Sequence, residues 1–327
     1  MPEPIMHIEP DQPVDFHMHT RSSDGGWTPE ALVDYLADHE FRVIAVCDHD
    51  TMRSVPEVQE RAAERGIRVI PGLEFTTWWD QRQWHLLVYG IDPTALPGTR
   101  FGALLSRQQD ALRSAAERAI ALLERHGYSL PSLEEVVDGR PLLPVHVLLT
   151  MIKDGHAPNL RIAHERVREV GESLRVDSPL EEVVAAVHEA GGICIIAHPG
   201  RDDGGGLLTA EQLDRMLATI PVDGLECHYR SYTDEDTAFF RALAAERGLL
   251  MSSGSDSHAP GMPVFPRPYP AGWVAPFLSR FGVEVAPVAG EPWYPGAPFA
   301  GEVPEFAAAR GAADEPATGS GGSRPAP

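Results

Sequence analysis

The chain has 327 residues, of which 43% are hydrophobic and 23% charged, with a formal net charge of -21. That composition describes an ordinary globular protein, long enough for one barrel or two domains. The acidic balance excludes broad, sequence-independent binding to duplex nucleic acid, which needs Lys and Arg on the phosphates. An anionic substrate would require a local reversal of that field, for which bound metal cations are the obvious candidates. No apolar run approaches a membrane span, and the N-terminus lacks a basic-then-apolar leader, so cytoplasmic residence is expected. Cys47, Cys194 and Cys227 each sit in an apolar, strand-like run and have no Cys-x-x-Cys spacing, so they read as buried free thiols.

In chain order, a first strand runs through Val14-Asp15-Phe16 into His17-Met18-His19-Thr20, followed by Ser23-Asp24-Gly25. Side chains alternate along a strand, so His17 and His19 share a face and can aim two imidazoles at one ion. Thr28 and Pro29 open a helix to about His39. The apolar run Val43–Cys47 reads as a strand buried on both faces and ends in Asp48-His49-Asp50. A helix over about Val55 to Arg65 stops at Gly66, and strands follow at Arg68–Glu74 and Trp84–Gly90. From about Phe101 to Asp177 the periodicity is helical, with no strand run, which predicts an inserted helical subdomain over 101–177.

Strand–helix alternation then resumes. Pro179 opens a helix to Ala190, and Ile193–Pro199 makes a strand. A helix near Glu211–Ala218 leads to the strand Val222–Cys227, and a helix over Glu235–Glu246 leads to Leu249–Ser252, which ends in Gly254-Ser255-Asp256-Ser257-His258. Seven strands mostly separated by helices predict a parallel α/β barrel, assembled from 13–100 and 178–282. Trp273, Phe277 and Leu278 could still pack on it, whereas 283–327, rich in Pro, Gly and Ala, is expected to be a largely disordered tail.

His17, His19, His49, Glu74, His198, Asp256 and His258 fall at or just past the C-terminal ends of predicted strands, with His85 starting one and Asp24 in the first loop. In an α/β barrel that face carries the active site. One such residue is most economically structural, but nine arranged strand by strand point to a metal cluster. Imidazole and carboxylate without thiolate suit Mn²⁺, Fe²⁺ or Zn²⁺.

The motifs His17-Met18-His19, Ser23-Asp24-Gly25, Cys47-Asp48-His49-Asp50-Thr51, Pro71-Gly72-Leu73-Glu74, His85, Ala197-His198-Pro199-Gly200-Arg201 and Gly254-Ser255-Asp256-Ser257-His258 resemble, in order, those of the PHP (polymerase and histidinol phosphatase) superfamily. The resemblance is closest to stand-alone PHP phosphoesterases acting on nucleotides and short RNA. It implies a distorted seven-stranded (β/α)7 barrel and three divalent ions, Mn²⁺ above all. His17, His19, Glu74 and Asp256 would hold the first. Glu74 would bridge to a second held with His85 and His198, and Asp24, His49 and His258 would hold the third. A hydroxide bridging the first two would then attack phosphorus in line, at a site about two charges positive.

Around this site, Arg201 is a candidate phosphate clamp and His228 a candidate proton donor to the leaving group. Asp48 and Asp50 are candidates for orienting His49 or its neighbours. Relatives tend to carry Arg-x-His in the helical insertion, where this chain has Pro144-Val145-His146. The arginine is absent, and His146 remains as a candidate substrate contact. His7, His39, His126, His156, His164 and His188 match nothing and read as surface or structural.

The expected substrate is a small phosphorylated molecule, a nucleotide or short oligonucleotide, with no duplex nucleic acid and no membrane partner. The missing arginine leaves room for a phosphatase of a small metabolite such as histidinol phosphate or a pathway-specific ester. A catalytically silent PHP interaction module is a third reading. It predicts missing ligands, and all nine are present.

Overall fold

The computed structural model describes residues 4–174, 178–201, 207–260 and 264–301. Its strands pair in three groups. The largest sheet has the order Leu250–Gly254, Gly224–Tyr229, Ile193–Ile196, Arg82–Tyr89, Gly72–Trp79, Ser178–Pro179. A second is ordered Tyr269–Pro270, Pro13–Asp15, Val43–Ile44, Arg68–Val69, and Met6–Ile8 pairs in parallel with Val283–Val285. Among the described residues the ladders do not close into a barrel. The two larger sheets meet through the isolated parallel bridges Met18↔Ser257 and His49↔Glu74.

The regular alternation expected from the sequence breaks at one place. Gly72–Trp79 and Arg82–Tyr89 form an antiparallel hairpin, and Arg82–Tyr89 also runs antiparallel to Ile193–Ile196. Only Asp80 and Gln81 separate the two strands, too few for a crossover helix. Both have positive φ, 49° and 62°, the geometry of the tight turns that suit hairpin twist.

Alternation along the inner strands feeds two cores. Val14, Phe16, Leu87, Tyr89, Ile193 and Ile195 pack in one cluster, which Trp273, Phe277 and Leu278 join. Ile44, Val46, Leu86, Val88, Cys194 and Ile196 turn the other way, onto the helices. Burial on both faces is why these strands read as unbroken apolar runs. The outer helices start where the sequence places them: Thr28 caps Pro29–Asp38 through a 3.2 Å bond from the Ala31 amide. Cys47, Cys194 and Cys227 are buried and unbridged.

Helices at Arg100–Arg125, Leu133–Val137, Pro144–Lys153 and Leu160–Glu169 occupy the predicted helical stretch. The first serves two masters. Its start, with Phe101, Leu104 and Leu105, packs in the main core, while Ala116, Ala119 and Leu123 pack with Val147, Met151, Ala163 and Val167 in a separate cluster. The expected disordered tail needs correction over 283–301. Val283–Val285 supplies the partner for the edge strand Met6–Ile8, and Trp293 is buried in the inner core. The rest of that tail, 302–327, lies outside the described residues. No helix among the described residues is long and apolar enough to cross a membrane.

Candidate metal centre

His17 and His19 leave the strand Pro13–Asp15 and point into the pocket where the two larger sheets meet. His17 Nε2 lies 3.2 Å from Glu74 Oε2 and 3.6 Å from Asp256 Oδ1. His19 Nε2 lies 3.3 and 3.1 Å from the same two oxygens. Donor atoms of His17, His19, Glu74 and Asp256 therefore converge on one point, all within 4.8 Å of one another. A second convergence joins His19, Asp24, His49 and His258, and a third His49, Glu74 and His85. His198 reaches the same carboxylate, with Nε2 3.0 Å from Glu74 Oε1, where His85 Nδ1 also lies at 2.9 Å. All nine expected ligands are thus in one cluster, with His49 touching Glu74 Oε2 at 3.3 Å as well as Asp24 Oδ2 at 3.7 Å.

The electrostatics suit cations. Burial would keep the carboxylates neutral, yet the imidazoles hold Glu74, Asp256 and Asp24 below the usual carboxylate range. Burial also disfavours charge on His19, but the neighbouring Asp256, Glu74 and Asp24 carboxylates push it up to about 10. Protons stand in for the positive charge that these carboxylates demand. Three buried ligand-type atoms, His19 Nδ1, His49 Nδ1 and Glu74 Oε2, have no hydrogen bond among the described residues, which fits lone pairs reserved for metal ions. Two of the loops are also strained: His198 and Asp256 hold positive φ, 28° and 51°, a conformation costly for residues with a Cβ.

The supporting carboxylates act on loops and strands rather than on His49. Asp48 accepts from the Thr20 amide and hydroxyl, both at 2.7 Å, from Ser23 Oγ at 2.6 Å and from Ser54 Oγ. It thereby shapes the loop carrying Asp24. Asp50 accepts from the Thr76 amide at 2.9 Å and hydroxyl at 2.8 Å, fixing the strand that carries Glu74.

Three further residues were not singled out from the sequence. Glu226, fully buried, lies with Oε1 3.0 Å from His17 Nδ1 and accepts the His198 amide on Oε2 at 2.7 Å. It orients one ligand and the backbone of another. A carboxylate inside the apolar run Gly224–Cys227 was the available signal, since a buried charge needs partners. Tyr229 Oη donates to Asp256 Oδ2 at 2.7 Å, and Arg230 Nη1 lies 2.8 Å from the same oxygen.

Arg201 is half-exposed and donates to Asp256 Oδ2 at 3.2 Å, at the edge of the cluster. His228 turns to Trp273 and Arg241 and not to the ligand cluster, so it is not placed to donate a proton to a leaving group there. It stacks on Trp273 at 4.8 Å and lies 2.9 Å from Arg241 Nη1, and burial and Arg241 keep it neutral. The pairing slips by one residue at Ser252/Ser253, so Cys227 bulges and Tyr229 takes the inward place that alternation gave His228. His146 is fully buried, with Nδ1 accepting the Leu143 amide at 3.1 Å, and does not open on a substrate space.

The PHP domain signature matches residues 15–130. A 3′,5′-nucleoside bisphosphate phosphatase of Chromobacterium violaceum is 32% identical over 76% of this chain and 88% of its own. The 5′-3′ exoribonuclease Rnm of Escherichia coli is 27% identical over 75% and 85%. Among solved structures, a sulfate-bound, metal-free amidohydrolase of C. violaceum superposes with a TM-score of 0.65 at 30% identity, covering 77% of this chain and 89% of that one. A Bifidobacterium adolescentis protein described as a metal-dependent phosphoesterase also gives 0.65, at 27% identity over 79% and 92%. These relatives include hydrolases of phosphoester bonds, and the signature's span takes in His17, His19, Asp24, His49, Glu74 and His85. The chain belongs to the PHP domain family.

Proposed function

We propose that this protein is a metal-dependent phosphoesterase that hydrolyses phosphate monoesters, or short phosphodiesters, of nucleotides or short oligonucleotides. The observation that carries the reading is the convergence of six imidazoles and three carboxylates in one pocket. His17, His19, Glu74 and Asp256 would hold one ion, Glu74, His85 and His198 a second, and Asp24, His49 and His258 a third. The two larger sheets, joined by single bridges, are on this reading the halves of a distorted seven-stranded barrel, with 101–177 as its cap. The donor set suits Mn²⁺, Fe²⁺ or Zn²⁺ without choosing among them, and the family resemblance puts Mn²⁺ first. Bound ions would supply Lewis acidity to the phosphoryl group, an activated water, and the positive field that an acidic chain otherwise lacks.

The protein's own groups set the geometry. Glu226 fixes the ring of His17, leaving Nε2 aimed into the pocket. Tyr229 and Arg230 hold Asp256, and Asp48 holds the Asp24 loop. Arg201, partly solvated and on the rim, can exchange its contact with Asp256 for a phosphoryl oxygen and clamp it.

The test is turnover with Mn²⁺ across adenosine 3′,5′-bisphosphate, AMP, 5′-phosphorylated dinucleotides, histidinol phosphate and sugar phosphates. Nucleotides should lead in kcat/KM, and Asp256→Asn should abolish hydrolysis while the circular dichroism stays native. Retained turnover in that variant, or activity undiminished by a chelator, overturns the proposal.

A further inference from the structure

A second group of metal-type donors lies away from the nine-ligand cluster. His188, Cys194 and Asp223 each offer one donor atom, and the three atoms lie within 4.8 Å of one another. The local sequence builds this convergence. The helix Leu180–Glu189 carries His188 in its last turn and stops at Gly191, which holds φ 81°. At Gly192 a Cβ would stand 2.7 Å from Ile91 and 2.8 Å from Val187, so the chain turns tightly there into the strand Ile193–Ile196. That turn brings Cys194 back beside His188. The parallel neighbour Gly224–Tyr229 begins just after Asp223, whose amide donates to the Cys194 carbonyl at 2.8 Å. Asp223 Oδ2 in turn accepts the Cys194 amide at 2.8 Å and lies 2.8 Å from His188 Nε2.

Four residues of strand separate Cys194 from His198, so this group sits about 13 Å along the chain from the nearest cluster ligand on that strand. Cys194 is fully buried on the helix-facing side. His188 and Asp223 keep 32% and 23% of their side chains exposed, which opens the group to solvent. One imidazole, one carboxylate and one thiolate carry two negative charges, which a divalent cation neutralises. Bonds of about 2.0–2.3 Å to a tetrahedral ion place donors roughly 3–4 Å apart, which three donors within 4.8 Å can meet. Sulfur also sets this group apart from the nine-ligand cluster, whose donors are all nitrogen and oxygen. Thiolate favours soft or borderline ions such as Zn²⁺ over Mn²⁺.

We propose that His188, Cys194 and Asp223 form a separate metal site that takes one thiophilic divalent cation of the Zn²⁺ type. Water completes the coordination, and the Cys194 thiol proton is released to solvent as the thiolate binds. The ion ties the end of one helix to the starts of two strands, whose other ends carry His198 and Glu226. Its role is structural, and it stands or falls without the phosphoesterase reading.

The test titrates the full chain, kept reduced with a phosphine, with Co²⁺. A thiolate ligand gives Co²⁺ a sulfur-to-metal charge-transfer absorption in the near ultraviolet, which nitrogen and oxygen ligands do not. Co²⁺ taken up by the nine-ligand cluster is therefore silent in this readout. Wild type should develop the absorption, and Cys194→Ser should lose it. His188→Gln keeps the thiol and changes a partly exposed side chain, so it should need at least about 10-fold more Co²⁺ for half the absorbance. Absence of the absorption in wild type, its survival in Cys194→Ser, or an unshifted midpoint in His188→Gln overturns the site. Should Cys194→Ser not fold, the His188→Gln midpoint decides by itself.

Discussion

Replacing Glu226 by glutamine keeps the volume of a fully buried side chain and removes one of its two acceptors. The carboxylate now serves two groups, His17 at 3.0 Å and the His198 amide at 2.7 Å. The amide cannot serve both. If its NH₂ faces the His198 N–H, two donors oppose each other in a dry site, costing about 1–3 kcal/mol. If the NH₂ faces His17 instead, Nδ1 must accept, the ring proton moves to Nε2, and the lone pair 3.2 Å from Glu74 is lost to the metal. Removing such an orienting partner typically weakens metal affinity about 10- to 100-fold, or about 1.4–2.7 kcal/mol. Calorimetric titration of the metal-free Glu226→Gln protein with Mn²⁺ should show that weakening. Affinity within twofold of wild type, with an unchanged Tm, would refute the role given to Glu226.

Two other perturbations follow from neighbouring geometry. In Gly254→Ala the new methyl would run into His17 Cβ and Glu226 Oε1, neither at the end of a loose side chain. Overpacking of this kind costs about 1–3 kcal/mol, so Tm should fall by several degrees and Mn²⁺ binding should weaken with it. A fully native Tm would show that the site yields more than its packing suggests. His146 is one pH-sensitive element: burial and Arg140 push it down to about 4, below its value of about 6.5 in an unfolded chain. Between those values the unfolded state binds more protons, so stability should be full above about pH 6.5 and fall as pH drops toward 4. Urea unfolding of metal-free protein should give a weaker pH dependence for His146→Gln than for wild type across that window; parallel curves would count against the assignment.

The candidate metal ligands are readable in the sequence because their chemistry sits where strands end, and strand ends are marked by apolar runs that stop abruptly. Val43–Cys47 followed by Asp48-His49-Asp50 needs no tertiary information to attract notice. The hairpin was less readable. Asp80-Gln81 lacks the glycine that usually marks a two-residue turn, and the neighbouring βα rhythm suggested parallel strands. The roles of His228 and Tyr229 were out of reach, because they depend on a one-residue slip against Leu250–Gly254, and one residue exchanges the faces of a strand. Asp48 and Asp50 were recognised as supporting groups, but their partners, Thr20, Ser23 and Ser54 for one and Thr76 for the other, come from separate segments that only the folded chain brings together.

The helix Arg100–Arg125 spans about 39 Å, with one end sunk in the main core and the other in the small helical cluster. A rotation of about 5° at its core end would carry the far end, and the helices packed on it, through about 3 Å, roughly the thickness of one aromatic ring. Because the far helices are tied to the first loop by the Arg21–Asp138 pair and the Arg140 bond to the Gly25 carbonyl, substitutions at Phe101, Leu104 or Leu105 would be felt at the Ser23–Asp24 loop from a distance.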